Sequence, residues 1–174
     1  MSMVIDGSNG LTYPNSATNG GYINGGTAVA STSGTSIDFT SIPSWVKRVT
    51  VMFSGVSTSG SNQLQIVLGT SGGFVTSGYS TLTAYGGVTY QSPTSGFLIV
   101  GLLSSTDTFH GSVVLTLLTG NTWVCNGFII ELGNNRCYGS GGSIALGGTL
   151  TQTRVTTVGG TDTFDAGSIN ILYE

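Results

Sequence analysis

Along most of the chain, short runs of alternating apolar and polar residues are separated by clusters of turn formers. In "KRVTVMF", Val49, Val51 and Phe53 share one face while Arg48 and Thr50 share the other. In "NQLQIVLG", Leu64, Ile66 and Leu68 oppose Gln63 and Gln65, and in "QTRVTTV" Val155 opposes Arg154 and Thr156. A period of two is the mark of a half-buried strand. On this pattern, strands are expected near 27–31, 35–40, 46–53, 63–68, 82–90, 97–103, 109–118, 122–131, 143–147, 152–158 and 168–173. No window supports an amphipathic helix, because β-branched residues and Gly interrupt every candidate. Many short strands at about 8–12-residue spacing predict an all-β fold, an antiparallel two-sheet β-sandwich of jelly-roll-like type.

Residues 1–25 break the pattern. "MSMVIDGSNGLTYPNSATNGGYING" is punctuated by Asn-Gly and Gly-Gly and carries only scattered apolar residues. It is expected to be an extended N-terminal arm ahead of a head domain at 26–174. An arm on its own buries too little to offset about 1–2 kcal/mol of backbone entropy per ordered residue. Val4, Ile5, Leu11 and Tyr13 are therefore the expected anchor points on a neighbouring chain.

Composition narrows the partners. Only 6% of the 174 residues are charged and the net charge is −3, against about 25% charged residues in an ordinary soluble domain. Four basic residues, Lys47, Arg48, Arg136 and Arg154, are too few to neutralise a nucleic-acid backbone. The longest apolar run, "FLIVGLL" at 97–103, has the length of a buried strand and falls short of the ~20 residues of a membrane span, so no membrane insertion is expected. "MSMVIDGSNG" has neither a basic region nor a long apolar one, and export through a signal peptide is not expected. A surface of hydroxyls, amides and glycine backbone suits packing against identical subunits or neutral sugars, because no ion need be desolvated.

Catalytic chemistry finds little purchase. His110, the one histidine, has no G-x-S-x-G nucleophile motif around it and reads as a satisfied strand-end residue. Asp162 and Asp165 form a close acidic pair in "GGTDTFDAGS", and their expected role is turn-making through nearby backbone N–H groups. Gly-rich "YGSGGS" lacks the lysine and helix of a phosphate loop. Cys125 and Cys137 match no zinc spacing, and reduced thiols are expected. No cofactor, metal or enzymatic activity is expected.

Binding is better served. "GYSTLTAYGGVTYQSPTSG" (78–96) and "GNNRCYGSGG" (133–142) mix Tyr with Ser, Thr, Asn and Gly. Tyr offers rigid amphipathic area, and the small polar residues offer adaptable hydrogen bonds. Tyr79, Tyr85, Asn134, Asn135, Arg136 and Tyr138 are the candidate recognition residues. They are expected on loops at the end of the sandwich away from residue 26. Arg136 would supply a bidentate donor for a carboxylate or phosphate, with pairing to an acid of its own chain as the competing role.

Three stretches carry a family resemblance. "MSMVIDGSNGLTYPNS" resembles the opening of many tailed-bacteriophage virion proteins. "IDFTSIPSWVKRVTVMFSGVSTSGSNQLQIVLG" and "TRVTTVGGTDTFDAGSINILYE" are similar to modules at the C-termini of phage tail-fibre-like proteins. The resemblance implies a non-enzymatic virion structural protein, a tail-fibre or adhesin module contacting the host cell surface. It also implies a homo-oligomer, with a trimer favoured, attached to other virion proteins through the arm and meeting a host glycan or receptor. The alternative is a capsid decoration or head-fibre protein without receptor binding.

Overall fold

A computed structural model of the chain describes residues 4–6, 10–12, 23–90, 94–101 and 103–174. Every regular element among them is a β-strand. β1 (Val4–Asp6) and β2 (Gly10–Thr12) pair antiparallel, with Ile5 opposite Leu11. Three of the expected anchor residues, Val4, Ile5 and Leu11, thus lie on this small hairpin, while Tyr13 lies outside the described residues.

The remaining strands build two sheets. In chain order they are β3 (Asn24–Gly25), β4 (Val29–Ala30), β5 (Ser36–Phe39), β6 (Arg48–Thr58), β7 (Leu64–Thr70), β8 (Gly73–Phe74), β9 (Ser80–Tyr85), β10 (Val88–Tyr90), β11 (Phe97–Leu98), β12 (Phe109–Thr119), β13 (Thr122–Glu131), β14 (Arg136–Ala145), β15 (Gln152–Thr157) and β16 (Phe164–Tyr173). The larger sheet runs β10-β9-β14-β13-β12-β6-β16-β3, with β4 also on β16; the smaller runs β11-β7-β15-β5, with β8 on β7. All pairings are antiparallel. The chain repeatedly changes sheet, from β5 to β6 to β7 to β9 and again around β15, as in a two-sheet β-sandwich. β3 shows that Asn24 and Gly25, within the segment read as the arm, already pair with Leu172 and Tyr173 of the head's sheet.

The core lies between the two sheets, and the period-two reading locates it. Val49, Val51, Leu64, Ile66, Leu68 and Val155 are fully buried. On β7 the opposite face is buried as well, at Gln65 and Val67. The reason is a second cover on the small sheet, where Phe74 of β8 and the Ser95–Gly96 segment lie over its outer face: Gly69 pairs with Phe74, and Ser95 donates to the Gln65 amide oxygen at 3.0 Å. Trp45 does not cap the core. It is half-exposed and leans on Tyr173, with centroids 5.9 Å apart, while the adjacent Val46 is buried.

Two strand assignments change. The run expected at 82–90 is a hairpin, β9 and β10, turned by Gly86 and Gly87 at φ 58° and 82°. Two successive positive φ values define the type I′ turn that matches strand twist. The stretch 133–142, read as a Gly/Asn-rich loop, instead carries most of β14, a ten-residue strand between β13 and β9. Glycine is needed there: a Cβ at Gly142 would lie 2.4 Å from the Ser80 carbonyl oxygen. Gly in a strand often marks such close backbone approach.

Candidate functional site

The β13–β14 turn gathers most of the candidate recognition residues. Glu131 has the inward parity of Ile129 and faces Arg136 across the ladder. Between them Asn135 takes a left-handed conformation, φ 55°, which Asn tolerates better than most residues. Tyr138, two residues on from Arg136, points inward and is fully buried. Tyr85 sits on neighbouring β9, where Ala84 pairs with Gly139.

The side chains interlock. The Tyr138 ring packs against Tyr85 at 5.6 Å and against Tyr90 at 6.5 Å between centroids. The Arg136 guanidinium lies 5.7 Å above the Tyr85 ring, and its Nη1 is 3.5 Å from Glu131 Oε2. The other carboxylate oxygen of Glu131 accepts from the Asn134 backbone N–H and from Asn134 Nδ2, the latter at 3.3 Å. Asn134 Nδ2 also donates to Asp107 Oδ1 at 3.1 Å, and Asp107 Oδ2 accepts from the Ser104 N–H at 2.7 Å. Burial raises the Tyr138 phenol pKa, partly countered by its hydrogen bond to Arg136. Burial works against the charge on Arg136, but Tyr138, Glu131 and Asp107 outweigh it and hold the guanidinium protonated.

The register places this cluster along the sheet. Glu131 and Arg136 sit at the same end of their strands as Phe109 and Thr58, whereas Gly25 pairs with Leu172 toward the opposite end. Tyr85, Asn134, Asn135, Arg136 and Tyr138 are therefore together, at the end away from residue 26. Tyr79 is not with them. It is buried near Ile144 at the other end of β9, its ring edge-on to Phe97 at 4.9 Å, and its hydroxyl accepts from the Leu68 N–H at 2.7 Å.

Exposure separates the six. Asn134 and Asn135 are exposed, Tyr85 and Arg136 half-buried, and Tyr79 and Tyr138 belong to the core. The expectation of loop-borne rings at 79 and 138 is corrected on that ground: a ring with no accessible surface has nothing to offer a ligand. Arg136 is engaged by an acid of its own chain, the competing role. Asp107 and Glu131 were missed. Glu131 carried a signal, because a carboxylate at an inward strand position requires a nearby cation or donor.

Other polar side chains serve the scaffold. His110 Nδ1 accepts from the Gly55 N–H at 3.2 Å. Asp162 accepts from Asn62 of a distant loop rather than making a local turn, and Asp165 is exposed. Arg48 pairs with Glu174. Arg154 makes a two-point pair with Asp38, at 2.7 and 2.6 Å, and lies 4.1 Å above the Phe74 ring. Beside it a cavity of about 240 Å³ is lined by Gln65, Phe74, Thr76, Ser95, Arg154 and Thr156 among others. No group of three or more His, Cys, Asp or Glu side chains among the described residues is placed to hold a metal ion.

No protein-family model matches the chain, and no curated protein does.

Proposed function

We propose that the protein is a non-enzymatic structural module of a bacteriophage virion, a tail-fibre-like adhesin that presents its β-sandwich toward the host cell surface. The carrying observation is the charge-poor sandwich itself. Three of its four basic side chains, Arg48, Arg136 and Arg154, are each paired with an acid of the same chain. What remains outward includes hydroxyl, amide and glycine backbone together with apolar side chains such as Phe128 and Ile130, a surface that meets neutral sugars or protein with few ions to strip of water. The resemblance of the opening and of the two β-rich stretches to phage virion proteins supports the same reading. Within it, Asn134, Asn135 and the exposed edges of Tyr85 and Arg136 are the residues offered to a host glycan or receptor, and the N-terminal hairpin segment is the attachment to the particle.

Antibody raised against residues 26–174 and imaged on negatively stained virions tests the proposal. Labelling at the tail is the expected result. Labelling of the capsid shell would replace the adhesin with a decoration protein, and virions without label would remove the protein from the particle altogether.

A further inference from the structure

The described residues leave the outer face of the larger sheet open. Strand parity and exposure put Leu82 and Ala84 of β9, Cys137, Gly139 and Gly141 of β14, Val124, Asn126, Phe128 and Ile130 of β13, Ser112, Val114 and Thr116 of β12, and Thr50 and Met52 of β6 on it. Phe128 is 69% exposed, Leu118 65%, Leu132 55% and Ile130 43%. Single exposed apolar residues are ordinary, but several on one continuous face mark an interaction surface. Across β9, β14, β13 and β12 this face bears no Lys, Arg, Asp or Glu. Arg48, paired with Glu174, stands only at its border on β6.

We infer that this face is a self-association interface, occupied by the same face of a second copy of the chain. Three observations select that occupant. The face has no charge for an oppositely charged partner to match, and two copies of it meet without repulsion. Its polar groups are Ser, Thr and Asn, which both donate and accept, so a two-fold pairing satisfies them reciprocally. Its size is sufficient: at about 4.8 Å between strands and about 3.4 Å per residue, β9, β14, β13, β12 and β6 present about 800 Å², the area each partner contributes to a standard stable interface. A membrane surface fits poorly, since a −3 chain with no basic rim on this face lacks the attraction to anionic headgroups that such binding uses. The inference rests on this face alone and does not depend on the virion reading.

Phe128 is the central contact. Its ring leans over Gly139 and stands beside the bare backbone of Gly141, where a Cβ would meet nothing nearer than the Cys125 carbonyl at 3.7 Å. Projection and hollow lie side by side, as a two-fold interface requires.

Light scattering on the full chain at micromolar concentration tests this. The wild type is expected as a dimer, at twice the 17.7 kDa chain mass, and Phe128→Lys and Ile130→Lys, both on exposed side chains, at the monomer mass with unchanged circular dichroism. Val88→Lys, an exposed apolar position on β10, keeps the wild-type mass. Cys137, which lies on the face, gives a second readout: its modification by a maleimide is at least tenfold slower in the wild type than in Phe128→Lys. A monomeric wild type, or an oligomer that survives both lysine variants with Cys137 equally reactive, overturns the interface. Failure there leaves the virion labelling result untouched.

Discussion

Asn62 and Asp162 are a hundred residues apart in the chain and joined by two hydrogen bonds, from the Asn62 backbone N–H at 2.8 Å and from its Nδ2 at 2.6 Å. The carboxylate is nearly buried and lies so close to Gly60 that a Cβ there would overlap it. This clasp ties the loop after β6 to the loop before β16, two connections that both pass between the sheets at one end. Asp162→Ala leaves a backbone N–H without its acceptor, which costs about 2 kcal/mol, or roughly 4–8 °C in Tm for a chain of this size. Asp162→Asn, which keeps an acceptor for the Asn62 N–H, should lose less. Equal melting of both variants and wild type would show that the clasp contributes nothing.

Tyr79 makes stability depend on alkaline pH. Burial pushes its phenol pKa up from 10.0 to about 12, against a smaller opposing effect of the Leu68 hydrogen bond. The folded pKa is raised, so the unfolded chain releases this proton first. The associated stability is present in full below pH 10 and falls away as pH approaches 12, by up to about 3 kcal/mol. Tyr79→Phe should flatten that part of the profile, and it should also lower stability at neutral pH by about 1–3 kcal/mol because the Leu68 N–H loses its acceptor. Denaturant melts of both proteins from pH 8 to 12 decide the matter.

The fold was legible where burial is one-sided. Val49, Val51 and Phe53 on β6 advertise their inner face because Arg48, Thr50 and Met52 on the other are exposed or only half-buried. β7 kept the alternation because Gln65 on its covered outer face is polar and accepts from Ser95. β14 was hidden because its interior is Gly139-Ser140-Gly141-Gly142, a composition that reads as loop. Two of those residues are small because neighbours press against them: Phe128 on Gly139, and the Ser80 carbonyl on Gly142. Strand propensity is context, and here the context lies on other strands. The same error put Tyr138 on a loop. The gathering of Asn134, Asn135, Arg136 and Tyr85 at one end was legible from their clustering in sequence around two turns, whereas Asp107 entered the cluster only through tertiary pairing.

The two cysteines should differ sharply. Cys125 and Cys137 are both free thiols, lying five rungs apart on the β13–β14 ladder, where Cys125 faces Gly142 and Cys137 faces Ile130. At about 3.4 Å per rung that separation is far beyond disulfide reach. Burial pushes the Cys125 thiol up to about 12, and the thiolate is the reactive form. In the native monomeric Phe128→Lys protein at pH 7–8, a thiol reagent should therefore count one cysteine, Cys137, and a second only in denaturant. Two fast-reacting thiols in the folded protein would contradict the placement of Cys125 in the core.

Arg136 and Glu131 provide the sharpest test of whether the end cluster is scaffold as well as surface. The Glu131 side chain has no accessible surface; Asn134 donates to one of its oxygens, while the other accepts no hydrogen bond and has Arg136 as its cation. Arg136→Ala strands that carboxylate, and a buried charge without a partner costs more than the absence of the pair. Glu131→Gln removes the charge and keeps the amide in place of the carboxylate. The double variant should therefore melt several degrees above Arg136→Ala alone, a positive coupling between contacting sites. Tyr138→Ala, which opens a cavity under Tyr85 and Tyr90, should cost about 3–5 kcal/mol, whereas Asn135→Gly, which keeps the left-handed backbone at φ 55° and removes only an exposed side chain, should change Tm by only a degree or two. Thermal melts of the five variants, Glu131→Gln alone included, check this together. If the double variant melts no higher than Arg136→Ala, the ion pair does not hold the turn, and Arg136 is free to serve a ligand instead.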